Sequence, residues 1–335
     1  MNINNVDICF GLGWGDEAKG KISAYLSKKN NYDFVCRWAG GNNAGHTIYV
    51  NENKYVTNLI PSGIFYGIKS IIGPDCVVDI KHFFKEVTYL QNNGFNISLI
   101  KISPKAHIIK EKHVKEDIKK YKDKLGTTAS GIAPCYRDKY GRTGTRVIDY
   151  YNELKDFIWD EKLYGNILCE GAQGFWLDIN YGNYPYITSS NTLPYSACSL
   201  GFPTSCINNI YGAIKIYDTR VGNDPEFPES LLENDELLKL GELGEEYGAK
   251  TGRRRIVNWL NMDKLIKAIN ISGTNNLVIS KIDVIKKLDI YKFYYNEKLI
   301  KCNNYNEFEI NIKHILKKNC ESLRRIHLSD NPHTV

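Results

Sequence analysis

Nothing in the sequence approaches the ~18 consecutive apolar residues of a membrane-spanning helix, and no basic segment followed by an apolar one opens the chain. Neither a membrane span nor a secretory leader is expected, and the cytoplasm is the expected compartment. Cys-x-x-Cys pairs are also missing, and the nine cysteines are odd in number and scattered from Cys9 to Cys320. That excludes a disulfide framework and a zinc site as readings and leaves the cysteines as small buried hydrophobes. A net charge of +6 over 335 residues falls in clusters without a basic stripe or interleaved aromatics, so nucleic acid is not an expected partner. What is there is an ordinary globular composition, 42% hydrophobic and 24% charged, with ample material for a core.

The chain concentrates its chemistry in polar, glycine-bearing turns that follow apolar runs. Val6–Phe10 reads as a buried strand, Ile22, Tyr25 and Leu26 recur at helical spacing, and Gly15-Asp16-Glu17-Ala18-Lys19-Gly20-Lys21 lies between them. A turn that opens a helix offers backbone N–H groups and the positive end of the dipole to an anion, and Gly15, Gly20 and Lys21 have P-loop spacing. Ile22 stands where a P-loop places its metal-holding Ser or Thr, so Asp16 is the nearest candidate ligand. A plain glycine-rich turn is the bland alternative.

The pattern repeats. Phe34–Trp38 runs into Gly40-Gly41-Asn42-Asn43-Ala44-Gly45-His46-Thr47, and Ile48–Val56 reads as a hairpin turning at Asn51-Glu52-Asn53. Ser70–Gly73 and Cys76–Asp79 read as two short strands, 81–92 as a helix, Ile97–Ile102 as a strand and Glu111–Leu125 as an exposed helix ending at Gly126-Thr127-Thr128-Ala129-Ser130. Asn166–Cys169 is a strand expected to end in a polar turn, Glu170-Gly171-Ala172-Gln173-Gly174, followed by Tyr184–Thr192. Ile210–Tyr217 feeds Thr219-Arg220-Val221-Gly222, and Gly248–Arg255 sets three guanidinium forks behind a glycine, suited to small phosphates or carboxylates. Asn276–Asp283 is a strand ending in Lys281-Ile282-Asp283, where a carboxylate can accept from guanine N1–H and the 2-amino group. A hairpin at 290–300 and a helix over Phe308–Cys320 complete the reading. Strand ends carrying such loops predict an α/β fold, a doubly wound and mostly parallel sheet with a P-loop-like phosphate loop and small hairpin and helical insertions. One domain over 1–335 is expected, with insertions near 103–165 and 286–325.

Taken together these loops resemble the adenylosuccinate synthetase family, over nearly the whole chain. The resemblance implies a GTP-dependent ligase that joins L-aspartate to inosine monophosphate (IMP) with magnesium, through a 6-phosphoryl purine. Asp16 would be the base and His46 the acid, with magnesium on Asp16 and the Gly45 carbonyl. GTP would meet Gly15, Asp16, Glu17, Ala18, Lys19, Gly20, Lys21, Gly45, His46, Thr47, Arg255, Lys281, Ile282, Asp283, Ser329, Asp330 and Asn331. The purine monophosphate would meet Asp16, Lys19, Asn43, Ala44, Gly45, His46, Thr128, Arg142, Gln173, Thr188 and Arg253, and aspartate would meet Ala249, Lys250, Thr251, Gly252, Arg253, Arg254 and Arg255. Arg142 matches the arginine that reaches into a neighbouring subunit's site, which implies a homodimer.

Ala18, Ser130 and Lys250 depart from the family's glycine, arginine and threonine, and Leu328-Ser329-Asp330-Asn331-Pro332 follows its C-terminal loop only loosely. The same chemistry on (d)GMP, as in viral relatives that would work in a host cytoplasm, is the alternative, and a P-loop GTPase switch a more remote one. The switch leaves His46, Gln173 and the arginine loop without a role, and a catalytically silent nucleotide-binding protein would not need Asp16 and His46 together.

Overall fold

The structure, a computed structural model, describes residues 2–248, 252 and 254–331. Ala249, Lys250, Thr251 and Arg253 therefore lie outside the described residues. The strands are β1 (Ile3–Gly11), β2 (Phe34–Gly40), β3 (His46–Val50), β4 (Asn53–Thr57), β5 (Lys69–Val78), β6 (Ile100–Ile102), β7 (His107–Ile108) and β8 (Gly165–Gly174). They continue with β9 (Ile207–Lys215), β10 (Tyr217–Arg220), β11 (Ile256–Trp259), β12 (Asn276–Ser280), β13 (Tyr291–Tyr295), β14 (Lys298–Cys302) and β15 (Arg325–Leu328).

Nine of them form one sheet in the order β15-β12-β9-β1-β8-β2-β5-β6, with β7 extending the pairing on β5. Every pairing in it is parallel. Parallel strands need crossovers, and the crossover segments cover both faces, so the central strands are buried on both sides. Accordingly β2 and β12 are buried at every residue. Because the strands run the same way, their C-terminal ends share one edge, and the loops after β1, β2, β8, β12 and β15 leave from it.

Several elements differ from the sequence reading. Ser70–Gly73 and Cys76–Asp79 are one strand, β5, because β2 pairs across the intervening residues with a register shift, Arg37 opposite Ile72 and Ala39 opposite Asp75. β8 does not turn at Glu170 but carries on to Gly174, shifting register between Cys9–Glu170 and Gly11–Gly174. Ile97–Leu99 is a 3-10 turn, with strand only from Ile100, because the Asn96 side chain accepts the Ser98 N–H. The helix Glu111–Asp117 passes into a π turn over Ile118–Lys122. β15 is an additional strand, pairing with β12 at the sheet edge. The expected hairpins are present, as β3–β4 and β13–β14.

The stretch 103–165 packs beyond β5, and the stretch 286–325 contributes β13, β14 and the helix Tyr305–Asn319. No helix among the described residues is long and apolar enough to cross a membrane. All nine cysteines are free, and seven of them are buried.

Candidate active site

Between β1 and the helix Lys19–Lys29 the backbone turns through left-handed conformations at Gly15 (φ 96°), Asp16 (φ 60°) and Ala18 (φ 69°). Glycine is at ease there, but the other two carry a steric cost that the surroundings must offset. Glu17 supplies the brace. Its carboxylate points inward, accepting from Gly13 N–H (3.1 Å), Gly15 N–H (2.7 Å) and Lys19 Nζ (2.5 Å). Lys21, on the first helical turn, donates to Asn331 O at 2.5 Å and to Ser329 Oγ, which ties the loop to the C-terminal segment after β15. Burial, partly offset by Asp283, pushes this ammonium down to about 8. Gly20 has no substitute: a Cβ there would lie 2.6 Å from the His46 Cβ.

His46 is buried at the start of β3. Its Nδ1 meets Glu170 Oε1 at 2.7 Å, Arg37 Nη2 lies 3.3 Å from the same oxygen, and Ser62 N–H donates to Glu170 Oε2 at 3.0 Å. Burial, and then the Arg37 guanidinium, push the imidazole down to about 4 against the pull of Glu170. For Glu170 burial works upward, but His46, Arg37 and Ser62 outweigh it and bring the carboxyl down to about 2. His46 is thus held by Nδ1, burial opposes its protonation, and its buried Nε2 has no hydrogen-bond partner among the described residues.

A second ionic group is built around Asp16. Arg255 Nε donates to Asp16 Oδ2 at 2.9 Å, and Arg255 Nη1 to Glu246 Oε2 at 2.5 Å. Glu246 in turn accepts from Lys215 Nζ (2.7 Å) and Tyr217 OH (2.7 Å).

Both groups border a cavity of about 690 Å³. It is lined by Gly15, Asp16, Ala18, Lys19, Gly20, Lys21, the residues 43–47, Thr128, Gln173, Thr188, Arg255, Lys281, Asp283 and Asn331, so most of the expected nucleotide contacts converge on one space. Gln173 donates to Asn43 Oδ1 (3.3 Å) and accepts from Ser190 Oγ (2.9 Å). The Thr127–Thr128 loop is tied back by Asp117, which takes Thr127 Oγ1 (2.7 Å) and Gly131 N–H (2.8 Å). At the far end Lys281 (φ 66°) donates to Gly244 O at 2.9 Å, and Asp283 sits in the first turn of the helix Ile282–Leu288.

Glu17, Ile282, Ser329, Asp330, Gly252 and Arg254 do not line the cavity. Ile282 and Ser329 are buried, and Arg254 lies 3.9 Å from Glu242 on the surface. Arg142 is exposed, at φ 61°, and faces outside its own cavity. Sequence reading missed Lys215, Glu246 and Arg37 as site groups and gave Glu170 no role. The only signal was charge within strands that read as buried, at Arg37 and Lys215.

No three His, Cys, Asp or Glu side chains among the described residues cluster as a metal site. Magnesium needs no such cluster: it takes one or two carboxylates and completes its shell with water and substrate phosphates. Asp16, one-third exposed and facing the cavity beside Gly45, fits that donor set.

The sequence model of the adenylosuccinate synthetase family matches residues 8–163 and 153–321. The chain belongs to the adenylosuccinate synthetase family. The adenylosuccinate synthetase of Borrelia duttonii (strain Ly) is 36% identical over 94% of this chain and 83% of its own length. That of Clostridium botulinum (strain Eklund 17B / Type B) is 38% identical over 85% and 79%. Among solved structures, fully ligated adenylosuccinate synthetase from Plasmodium falciparum superposes with a TM-score of 0.80 at 28% identity, covering 98% of each chain. Succinoaminodeoxyadenylate synthetase (PurZ) of cyanophage S-2L, bound to dGMP and dATP, shares the fold with a TM-score of 0.74 at 19% identity. As a member of this family of purine-biosynthetic ligases, the chain carries out GTP-dependent joining of L-aspartate and IMP.

Proposed function

We propose that the cavity performs this ligation with Asp16 as base and His46 as the group that meets the transferring phosphoryl. The observation that supports the reading is that both line one cavity, which the phosphate loop and Asp283 also line. Asp16 takes the N1 proton of IMP, which makes O6 nucleophilic. O6 then attacks the γ-phosphorus of GTP, the bond to the β–γ bridging oxygen breaks, and GDP leaves. The aspartate amine next attacks C6, and the C6–O bond breaks to release phosphate. Magnesium, held by Asp16, the Gly45 carbonyl and the phosphates, would neutralise charge on the phosphoryl oxygens. His46 donates from Nε2, and the charge of bound phosphates counters the burial that opposes its protonation. Lys21 and the loop N–H groups hold the GTP phosphates, and Asp283 accepts from the guanine edge. Asn43, Thr128, Thr188 and Gln173 hold the purine nucleotide, and the loop ending at Arg255 holds aspartate.

Arg142, exposed and away from its own cavity, fits a contact with the 5′-phosphate in a partner's site across a two-fold axis. We therefore read the enzyme as a cytoplasmic homodimer built from one α/β domain with two insertions. The test is GDP release with each substrate omitted in turn, then kcat/KM for IMP, GMP and dGMP. IMP is expected to lead. A tenfold preference for dGMP, about 1.4 kcal/mol, would move the enzyme to the guanine-nucleotide branch of the same chemistry. Mixing Arg142→Leu chains with Asp16→Asn chains should restore activity, and no recovery after subunit exchange would remove the shared site.

A further inference from the structure

Thr219-Arg220-Val221-Gly222 takes no part in the chemistry above. Arg220 ends β10, and it lines the cavity together with Val221, Tyr186, Ile187, Thr188 and Ser189. The last four belong to a stretch of described residues, 178–193, that holds no helix or strand, so side chains must fix its shape. Arg220 and Asp224 close a ring of contacts around its middle. Arg220 Nη2 donates to Tyr186 O (2.8 Å), and Arg220 Nε lies 3.3 Å from Asp224 Oδ2. Asn183 Nδ2 donates to Asp224 Oδ1 (3.0 Å), and Tyr186 N–H donates to Asn183 O (2.8 Å). The Asp224 side chain is wholly buried and that of Arg220 is 8% exposed. A buried ion pair adds little stability, because desolvation offsets its attraction, but it can fix one geometry. On its other side the same segment meets the loop that carries Thr128. A Cβ on Gly222, at φ 90°, would lie 3.2 Å from Gly126 O, and Asn223 Nδ2 donates to Lys124 O at 3.4 Å.

We propose that Arg220, Asp224 and Asn183 are positioning residues for the purine monophosphate: their ring holds the turn before Thr188, while 222 and 223 abut the loop before Thr128. Asn183 and Asp224 do not line the cavity, so they act through the backbone. Tyr186 O, which Arg220 grips, is two residues from Thr188, whose N–H donates to Leu177 O at 2.8 Å. Opening the ring lets the turn widen, and Thr188 loses its place relative to Thr128. The phosphate loop and Lys281–Asp283 leave from other strands, β1 and β12, and keep their places. The purine monophosphate should therefore bind more weakly, and GTP should not.

The inference rests on the reading of Thr128 and Thr188 as purine-monophosphate contacts, so IMP, dGMP and magnesium–GTP are titrated separately by calorimetry, without turnover. Asn183→Ala removes no charge. It should weaken whichever monophosphate the parent binds by about fivefold or more and leave GTP within about twofold. Asp224→Asn sets charge against position. Loss of a carboxylate near the cavity would by itself tighten a phosphate dianion, whereas an opened ring weakens it, and weakening by about fivefold or more is expected again. The double variant should bind the monophosphate no more weakly than the weaker single one, because one ring opens only once. Unchanged monophosphate affinity or equal losses of monophosphate and GTP in Asn183→Ala, or tighter monophosphate binding in Asp224→Asn, would overturn the inference. Asn183→Ala decides the question even if Asp224→Asn does not fold. A parent that binds GTP but neither monophosphate would instead remove the nucleotide reading on which the inference rests.

Discussion

Two charged clusters reach the cavity, and they are built on different principles. Arg37, Glu170 and His46 all stand on strands, with Arg37 and Glu170 wholly buried and Ser62 N–H closing the carboxylate's other side. The line Lys215–Glu246–Arg255–Asp16 starts on a strand but ends on a loop, and its last pair opens to the cavity. The first is a fixture, since no member can leave without stranding a buried charge. The second has a free end. A site that must hold a ring still and yet admit a cation and anions needs one cluster of each kind.

The largest expected effect breaks the fixture. Arg37→Met leaves Glu170 buried without its cation and should reduce unfolding free energy by ~3–5 kcal/mol, whereas Arg255→Met, whose Asp16 partner can turn to water, should lose less than about half as much. Denaturant titration of both variants checks this, and equal losses would erase the distinction between the clusters. Next, Asp16→Asn should lower kcat at least ~10²-fold, the ordinary worth of a general base, with the melting temperature nearly unchanged. Turnover within a few-fold of the parent would remove Asp16 from the chemistry.

A third expectation uses Asp218, on the same strand as Tyr217, as an internal control. Glu246 has two cations and goes down, while burial lifts Asp218 to about 7, offset only in part by Asn261 N–H. Its folded value is raised above 3.8, so its stabilising contribution is complete below that pH and is lost as pH rises through about 7. Between pH 5 and 7.5 the parent should lose up to ~2 kcal/mol relative to Asp218→Asn, whose amide keeps an acceptor for the Asn261 N–H and does not titrate. Parallel stability–pH curves would count against it. The smallest effect is at Ala18: at φ 69° a glycine relieves strain, and Ala18→Gly should gain ~1 kcal/mol or less.

The sheet and the loops at its edge were legible in sequence because each motif is contiguous, an apolar run followed at once by its polar turn. Gly15–Lys21 and residues 40–47 needed no long-range information. Glu246 was not legible, since one of the two acids in Gly-Glu-Glu-Tyr-Gly acquires meaning only when Lys215, 31 residues away, meets it. The inward turn of Glu17 was hidden for the opposite reason, since its partners are its own neighbours and only the loop's backbone geometry reveals it. Gly73-Pro74-Asp75 looked like a strand break, and only the neighbouring strand's register shift lets β5 run through it.

The position of β1 in the sheet also bears on how the chain is made. Its two neighbours are Gly165–Gly174 and Ile207–Ala213, so during synthesis β1 has no partner in this sheet until Gly165–Gly174 has been translated. At ~5–20 residues per second, Val6, Ile8 and Phe10 wait ~10–40 s for their second neighbour. β2 and β5, much closer together in sequence, can pair long before then. The segment Val6–Gly11 of β1, buried at every residue in the finished sheet, therefore waits longer for its partners than β2 does.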